Sequence, residues 1–532
     1  MTTMTTTTGA NVKKVSALAV PLLAFFGGVQ GSAPNVASTA LVGASRSLDM
    51  TGSTQALAAS MQTLAIAATV ITTGLLADRL GRRRVLMGAL IVGGVGTVIV
   101  SLSIAAWMYM FGMAIVGIGL GAVYGASFAY IKSVVPLNRL AAAMGTFTAI
   151  VMVTTVTVTF IGGSLTAINW RVAFLIFPVC SIIGLILVPI LLPKIPVVKG
   201  GSLDLVGQLL LGLGVISFLY SVSQFAQSLT SPKTLVPLGL GIVLLAAFAV
   251  WESKYSGHFF PMELFRSPVF LAALCFGFIY NFGTSVAFLQ LTNLWQYING
   301  LKTSEVSIWQ LPLMLAGIAS GLIIGRLMAK GMSNRNAGLI GGGLTVAGFV
   351  CLGLFHSSTS ILGFLPGMVL GGAGVVVAAV PFGNLVLREA PAKYLGPVSS
   401  ARTTAGQFFY TMGFALSTVM IDKLTTGGTV DRLTAAGVPA NQLSTGLDAV
   451  NVYASAGTQP TTSVGKQALA DAALSYGSAF RTAMLVTAVA IAIVTVIATV
   501  LLRKGEGTPQ PAHEGDTDSA TEAAPVTASA TV

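Results

Sequence analysis

Charge is scarce in this chain. Asp, Glu, Lys and Arg together make up 8% of its 532 residues, while apolar side chains make up 54%. A soluble domain has about a quarter of its residues charged, and these keep its surface hydrated. A soluble globular fold is therefore excluded, and so is a disordered polar chain. What the sequence has instead is a series of long apolar stretches.

Cysteine and histidine are nearly absent, with three residues of each. The cysteines Cys180, Cys275 and Cys351 fall within apolar stretches, where a thiol behaves as a small apolar side chain. We therefore expect no disulfide. No set of nucleophile, base or metal-ligand residues converges within these stretches, so we expect no enzyme activity, no metal and no cofactor.

The apolar stretches have the length of membrane-crossing helices. A helix that crosses a hydrocarbon core of roughly 30 Å needs about 20 apolar residues. We find fourteen such stretches and predict an all-α polytopic membrane protein with fourteen transmembrane helices. The predicted spans are 15–40, 53–76, 85–104, 107–131, 140–165, 172–193, 205–225, 234–251, 268–293, 305–325, 337–356, 359–387, 397–421 and 479–502.

A short loop between the second and third spans concentrates positive charge. Its sequence, GLLADRLGRRRVL, runs from residue 74 to residue 86. The residues that define its pattern are Gly74, Asp78, Arg79, Gly81, Arg82 and Arg83. Arginine beside hydrocarbon is least costly in a loop that is never translocated, so this loop is predicted to be cytoplasmic. An even number of spans then places both termini in the cytoplasm.

The net charge of +12 is explained by the same topology. Most Lys and Arg residues fall in or beside loops on the side of the arginine-rich loop, as expected for cytoplasmic segments of a membrane protein. No basic patch with interleaved aromatic residues appears, so we expect no nucleic-acid partner. The expected partners are the lipid bilayer, a small-molecule substrate and, if transport is coupled, protons.

The arginine-rich loop resembles the hallmark G-x-L-a-D-r-x-G-r-r between helices 2 and 3 of the major facilitator superfamily. The chain resembles the fourteen-helix drug:proton antiporter branch of that family, in which two six-helix halves flank two inserted helices. The resemblance implies that Asp78 and Arg79 act as a cytoplasmic latch on one conformation. It also implies the domain order: cytoplasmic N-terminus 1–14, first half 15–193, inserted helices 194–251, second half 252–502 with an external loop at 425–478, and disordered cytoplasmic tail 503–532.

Residues associated with proton coupling in that branch are replaced here. Gln30 stands where helix 1 commonly carries an aspartate, and Met113 stands four residues before Gly117, where helix 4 commonly carries an arginine. None of the sixteen Asp and Glu residues falls in the middle third of a predicted span. Intramembrane acids are the usual proton-coupling groups, so the sequence leaves the energy source open.

In this fold the first helix of each three-helix unit contributes most to the transport cavity. The polar and aromatic candidates on those helices are Gln30, Asn35, Tyr124, Ser127, Tyr280, Asn281, Gln290 and Asn384. Buried amides also hold helices together, so we expect only part of this set to line a cavity. Arg402 is the basic residue placed inside a span, where it suits an anionic substrate group or a proton-linked switch. The alternatives for Arg402 are extension to the cytoplasmic surface or pairing with Glu389.

These features predict a secondary active transporter in the cell membrane. The expected task is export of small amphipathic organic compounds or drugs by alternating access, with proton coupling left open. The alternative is a uniporter, an uptake carrier or a translocator of lipid or envelope precursors, with the same fold and without proton antiport.

Overall fold

Helices account for most of the described chain. The computed structural model describes residues 18–50, 52–136, 139–195, 204–225, 230–254, 260–301, 303–355, 360–391, 394–456 and 459–505. Within these ranges it contains helices and no strands, which confirms the predicted all-α class. The predicted N-terminal segment 1–14 and residues 506–532 of the predicted tail lie outside the described ranges.

The helices divide into two groups separated by a pair. We call α1 to α7 the first half: α1 (Ala19–Ser47), α2 (Gly52–Leu80), α3 (Arg82–Ser101), α4 (Ala106–Val134), α5 (Leu140–Ile168), the one-turn α6 (Trp170–Ala173) and α7 (Ile176–Leu191). The middle pair is α8 (Leu205–Gln224) and α9 (Pro232–Lys254). The second half contains α10 (Pro268–Tyr297), α11 (Thr303–Trp309), α12 (Leu311–Ala329), α13 (Asn334–Phe355), α14 (Leu365–Glu389), α15 (Leu395–Ala435), α16 (Ala440–Ala456) and α17 (Ser463–Gly505).

Ten stretches of described helix are long and apolar enough to cross a membrane. They fall in α3, α4, α5, α6 with α7, α9, α10, α12, α13, α14 and α17. In a bilayer every backbone polar group must be bonded within the segment, so such apolar stretches fold as helices. Four helices lack a described stretch that is both long enough and apolar enough to cross a membrane by the same measure: α1, α2, α8 and α15. The count of fourteen transmembrane helices therefore stays a prediction.

The segment 425–478, predicted to be a loop, is largely helical. The helix α15 extends to residue 435, α16 follows, and α17 begins at residue 463. Leu433 and Ala468 are fully buried, and Gly446 lets α16 lie against both of them. This segment is too polar for a span, yet its few apolar residues meet between three helices. Its external location stays a prediction.

Polar residues at helix starts define several of the boundaries. The Asp204 carboxylate accepts a hydrogen bond from the Gly207 amide at 2.9 Å, which caps α8. The same carboxylate accepts from the indole Nε1 of Trp251 at 3.0 Å, which joins α8 to α9. At the start of α10 the Ser267 hydroxyl accepts from the Phe270 amide at 3.3 Å, ahead of a proline at the first helical position.

Close helix pairs in both halves depend on glycine. A Cβ at Gly119 of α4 would collide with the backbone nitrogen of Gly93 on α3. The same contact recurs in the second half, where a Cβ at Gly348 of α13 would collide with the backbone nitrogen of Gly371 on α14. Small residues let helix backbones approach closely in a membrane. The glycine-rich stretches of α4 and α14 are therefore packing surfaces.

Candidate functional site

A single residue separates α2 from α3. Gly81 has a φ of +95°, a conformation that side chains with a Cβ rarely adopt. The turn places Arg82 at the first position of α3, where the side chain is buried. Its Nη1 donates a hydrogen bond to the Ala129 carbonyl of α4 at 3.1 Å and another to the Ser133 hydroxyl. Arg82 therefore joins this turn to the end of α4.

We call the end of the bundle that carries this turn the arginine face, and the other end the opposite face. The Arg83 Nη1 donates to the Leu192 carbonyl, just after α7, at 3.5 Å. Gly74 is buried within α2, and Arg79 is half-buried near the end of that helix. The side chain of Asp78 lies outside the described part of the structure, so its interaction in the latch stays a prediction.

The two halves meet directly at the arginine face. Near the end of α4 the Lys132 Nζ donates to the Ala390 carbonyl, just after α14, at 2.7 Å. The helices α5 and α12 lie so close that a Cβ on Gly145 would be 2.6 Å from the Gly321 carbonyl oxygen. The same Cβ would be 2.7 Å from the Cα of Gly325. Backbone contact between the halves is possible here because these positions lack side chains.

Buried apolar residues show that the contact between the halves is uneven. One cluster combines residues of both halves, among them Phe128 and Met144 from the first and Phe382 from the second. A second cluster, between Val29 and Cys180, has described members from the first half alone. Its residues lie toward the opposite face. The halves are thus packed together near the arginine face, while this opposite-face core of the first half is not shared.

A cavity of about 200 Å³ lies between the halves. Its wall is built by α1, α2, α4 and α5 from the first half and by α10, α12, α14 and α15 from the second. Its polar and larger apolar side chains are Gln30, Asn35, Thr63, Tyr124, Met152, Thr155, Tyr280, Asn281, Thr284, Phe288, Met314, Phe382, Arg402, Thr403, Gln407 and Tyr410. Among the residues that line it in the described structure, Arg402 carries charge and none is Asp, Glu or His.

Arg402 connects the halves on the arginine-face side of this cavity. Its Nη1 donates to the Tyr124 hydroxyl at 2.6 Å. The guanidinium carbon lies 4.2 Å from the ring centroid of Phe128 and 4.6 Å from that of Phe382, within the range of a cation–π interaction. Only 6% of Arg402 is exposed. The residue lies about 10 Å along α15 from the start of that helix, at 1.5 Å per residue.

Neither alternative proposed for Arg402 agrees with this geometry. The Glu389 carboxylate accepts a hydrogen bond from the Ser267 hydroxyl at 2.9 Å, while the Arg402 guanidinium contacts Tyr124 and two phenyl rings. The guanidinium is therefore held at the cavity by groups from α4 and α14. It neither extends to the surface nor pairs with Glu389.

The structure brings six of the nine sequence candidates to one cavity. These are Gln30, Asn35, Tyr124, Tyr280, Asn281 and Arg402. The other three, Ser127, Gln290 and Asn384, are buried outside its lining. The Gln290 Nε2 donates to the Ser417 hydroxyl at 2.8 Å, and the Asn384 Nδ2 donates to the Asn334 Oδ1 at 2.8 Å. These two amides hold helices together.

The bond between Gln290 and Ser417 gives a test of that role. In a double-mutant cycle, Gln290→Ala and Ser417→Ala are expected to show a coupling of about 0.6–1.7 kcal/mol in the free energy of unfolding. The matched control is Ser285→Ala on the same helix, because the Ser285 hydroxyl is buried without a hydrogen-bond partner. Reversible unfolding in bilayers or mild detergent measures the cycle. Equal coupling of Gln290 to Ser285 and to Ser417 would contradict the assignment.

Sequence reasoning missed the contributions of α2, α5, α12 and most of α15. On α15 a signal was present: Arg402, Gly406 and Tyr410 recur every four residues, with Thr403 and Gln407 between them, and so share one helix face. No comparable periodicity marks Thr63, Thr155 or Met314. Their exposure to the cavity depends on how the helices cross.

Comparison with known proteins identifies the family. Residues 22–414 match the family model described as Major Facilitator Superfamily. An uncharacterized MFS-type transporter of Mycobacterium tuberculosis is 30% identical over 264 residues, covering 48% of this chain and 38% of that protein. This chain thus spans well under half the length of that relative. A multidrug resistance protein B homolog of the same species is 25% identical over 382 residues, covering 70% of each chain.

A solved structure shows the same fold. The structure of the proton:xylose symporter XylE, bound to 6-bromo-6-deoxy-D-glucose, aligns with a TM-score of 0.56 at 12% sequence identity, covering 89% of this chain and 94% of that one. The family model covers most of the chain, and the helical architecture with its glycine-packed pairs and arginine-rich turn agrees with it. This chain is a member of the major facilitator superfamily.

Proposed function

We propose that the protein is a secondary active transporter that exports small amphipathic organic compounds across the cell membrane by alternating access. The observation that carries the proposal is the cavity between the halves, to which both halves contribute walls. Hydroxyls, amides and aromatic rings surround it, a mixture suited to a molecule with an apolar body and a few polar atoms. The similarity to a multidrug resistance protein supports export of such compounds.

The contacts at the arginine face suggest which conformation this is. The bond from Lys132 to Ala390, the backbone contact at Gly145 and the bond from Arg402 to Tyr124 all join the halves on that side. Alternating access requires these contacts to separate as the halves rock around the cavity. If the arginine face is cytoplasmic, as the positive-inside rule predicts, the cavity is closed to the cytoplasm here.

Flux through reconstituted vesicles tests the proposal. The purified full chain in liposomes is expected to move amphipathic compounds from a labelled panel faster than protein-free liposomes do. A pH-sensitive dye inside the same vesicles reports proton movement at the same time. Substrate flux with proton counterflow indicates antiport, and substrate flux without it excludes antiport. Absence of flux for every compound in both orientations would contradict the transport proposal.

A carrier without proton antiport is the second candidate, and the charge of the cavity favours it. The charged group in the described lining is the guanidinium of Arg402. The lining residues of the described structure offer no carboxylate or imidazole that would gain and lose a proton in the physiological pH range. A uniporter or an uptake carrier fits such a lining.

A further inference from the structure

We infer that the cavity selects organic anions, and that the Arg402 guanidinium is the group that binds the anionic end. The inference rests on the proposed transport function and adds the chemical class of its substrate. Three observations carry it: the position and burial of Arg402, the lack of a counter-ion among the described lining residues, and a second unpartnered donor across the cavity.

The guanidinium is only partly satisfied in this structure. Arginine has five N–H donors in a fork that matches a carboxylate. The hydrogen bond to Tyr124 uses one side of that fork, whereas the Nε is buried without a hydrogen-bond partner. A buried donor without a partner is unfavourable, and a buried charge more so. The aromatic rings of Phe128 and Phe382 offset part of this cost but accept no N–H in the plane of the guanidinium.

Among the described residues that line the cavity, Arg402 also has no counter-ion. The lining described by the structure contains no Asp or Glu, and the carboxylate of Glu389 is bonded to Ser267. An anion that enters the cavity can therefore form an ion pair with Arg402. No carboxylate of the described lining repels this anion. An organic cation would meet the guanidinium without any compensating carboxylate.

A second donor lies across the cavity on α1. The Gln30 Nε2 is buried without a hydrogen-bond partner, and 4% of Gln30 is exposed. Unpartnered donors on α1 and α15 thus border one space of about 200 Å³, together with the rings of Tyr280 and Phe288. Donors on two sides and aromatic walls between them suit a compact organic acid with an aromatic or aliphatic body.

The test compares three probes that share one ring system: 2-naphthoate, the neutral 2-naphthamide and the cationic 2-naphthylmethylammonium. Equilibrium binding is measured at pH 7 on the full-length protein in nanodiscs. The wild-type protein is expected to bind the anion at least about tenfold more tightly than the amide, the equivalent of one good charge-assisted bond. Arg402→Gln is expected to remove this preference, so that the anion binds no more tightly than the amide.

Two further variants keep the result interpretable. Arg402→Lys keeps the charge and is expected to retain part of the anion preference even if Arg402→Gln fails to fold. Arg388→Gln removes an exposed arginine of α14 and should bind all three probes as the wild type does. Equal affinity for anion and amide, preference for the cation, binding of none of the three, or a preference that survives Arg402→Gln in folded protein would each overturn the inference.

Separate measurements of binding and of flux distinguish the anion-site inference from the proposed transport function. Selective binding of naphthoate without flux in liposomes would contradict transport and support the anion site. Flux of other compounds, with no preference for the anion in binding, would support transport and contradict the anion site.

Discussion

Gly145→Val is expected to lower transport by about fivefold or more while the protein still inserts into the membrane. The substituted Cβ would lie 2.6 Å from the Gly321 carbonyl oxygen and 2.7 Å from the Gly325 Cα, and both are backbone atoms that cannot rotate away. Overpacking of this kind costs about 1–3 kcal/mol. Such a cost falls on the conformation that is closed at the arginine face, and it changes the balance between conformations by about 5–150-fold.

The measurement pairs substrate flux with the separation of the halves. Spin labels at Arg84 and Lys330, both exposed at the arginine face and one in each half, report the distance between the ends of α3 and α12. The distance is expected to increase in Gly145→Val. The matched control is Gly163→Ala on the same helix, because a Cβ there meets no atom within 4 Å. Unchanged flux and an unchanged label distance in Gly145→Val would show that this contact does not govern closure.

Arg82→Ala is expected to have the second largest effect. Its side chain is 7% exposed and bonds to the Ala129 carbonyl and the Ser133 hydroxyl. Hydrogen bonds from a charged donor contribute about 1.5–3 kcal/mol each, and removal of the guanidinium breaks both of the bonds that join this turn to the end of α4. We expect loss of most transport activity, since the end of α4 also carries Lys132, which bonds across to the second half.

Arg84→Ala is the control for Arg82→Ala. Arg84 lies two residues further along the same helix and is exposed, so its removal takes the same charge from the loop without breaking a buried contact. Flux and surface expression are measured for both variants. Equal loss in the two would indicate that the loop acts through its net charge, through membrane insertion for instance, and would contradict a role for the specific bonds of Arg82.

Much of the fold follows from features that the sequence carries locally. Apolar stretches of about 20 residues predict spans wherever they lie in the chain, and ten of them have the expected length and apolarity in the structure. Two of the helices that line the cavity, α1 and α15, are less apolar for a physical reason. The helix α1 contains Gln30, Asn35 and two prolines, and α15 contains Arg402 and Gln407; these polar groups reduce the apolarity by which a span is detected.

The residues of the candidate site are likewise only partly predictable from the sequence. Sequence periodicity and residue type suffice to nominate Tyr280 and Asn281, but Gln290 is just as polar and bonds to Ser417 within the second half. Only the rotation of α10 against α15 distinguishes these roles. The helical segment at 425–478 is a similar case, because Leu433 and Ala468 are 35 residues apart and become a core only when α15 and α17 lie side by side.

By itself the sequence determined the membrane environment, the all-helical class, the arginine-rich turn and the family that this turn indicates. These depend on composition and on contacts between near neighbours in the chain, such as the reversal at Gly81. The tertiary structure decided which polar residues share the cavity and that Arg402 bonds to Tyr124, which lies 278 residues away. Contacts over such separations depend on how whole helices cross, and this crossing cannot be predicted from a local pattern of residues.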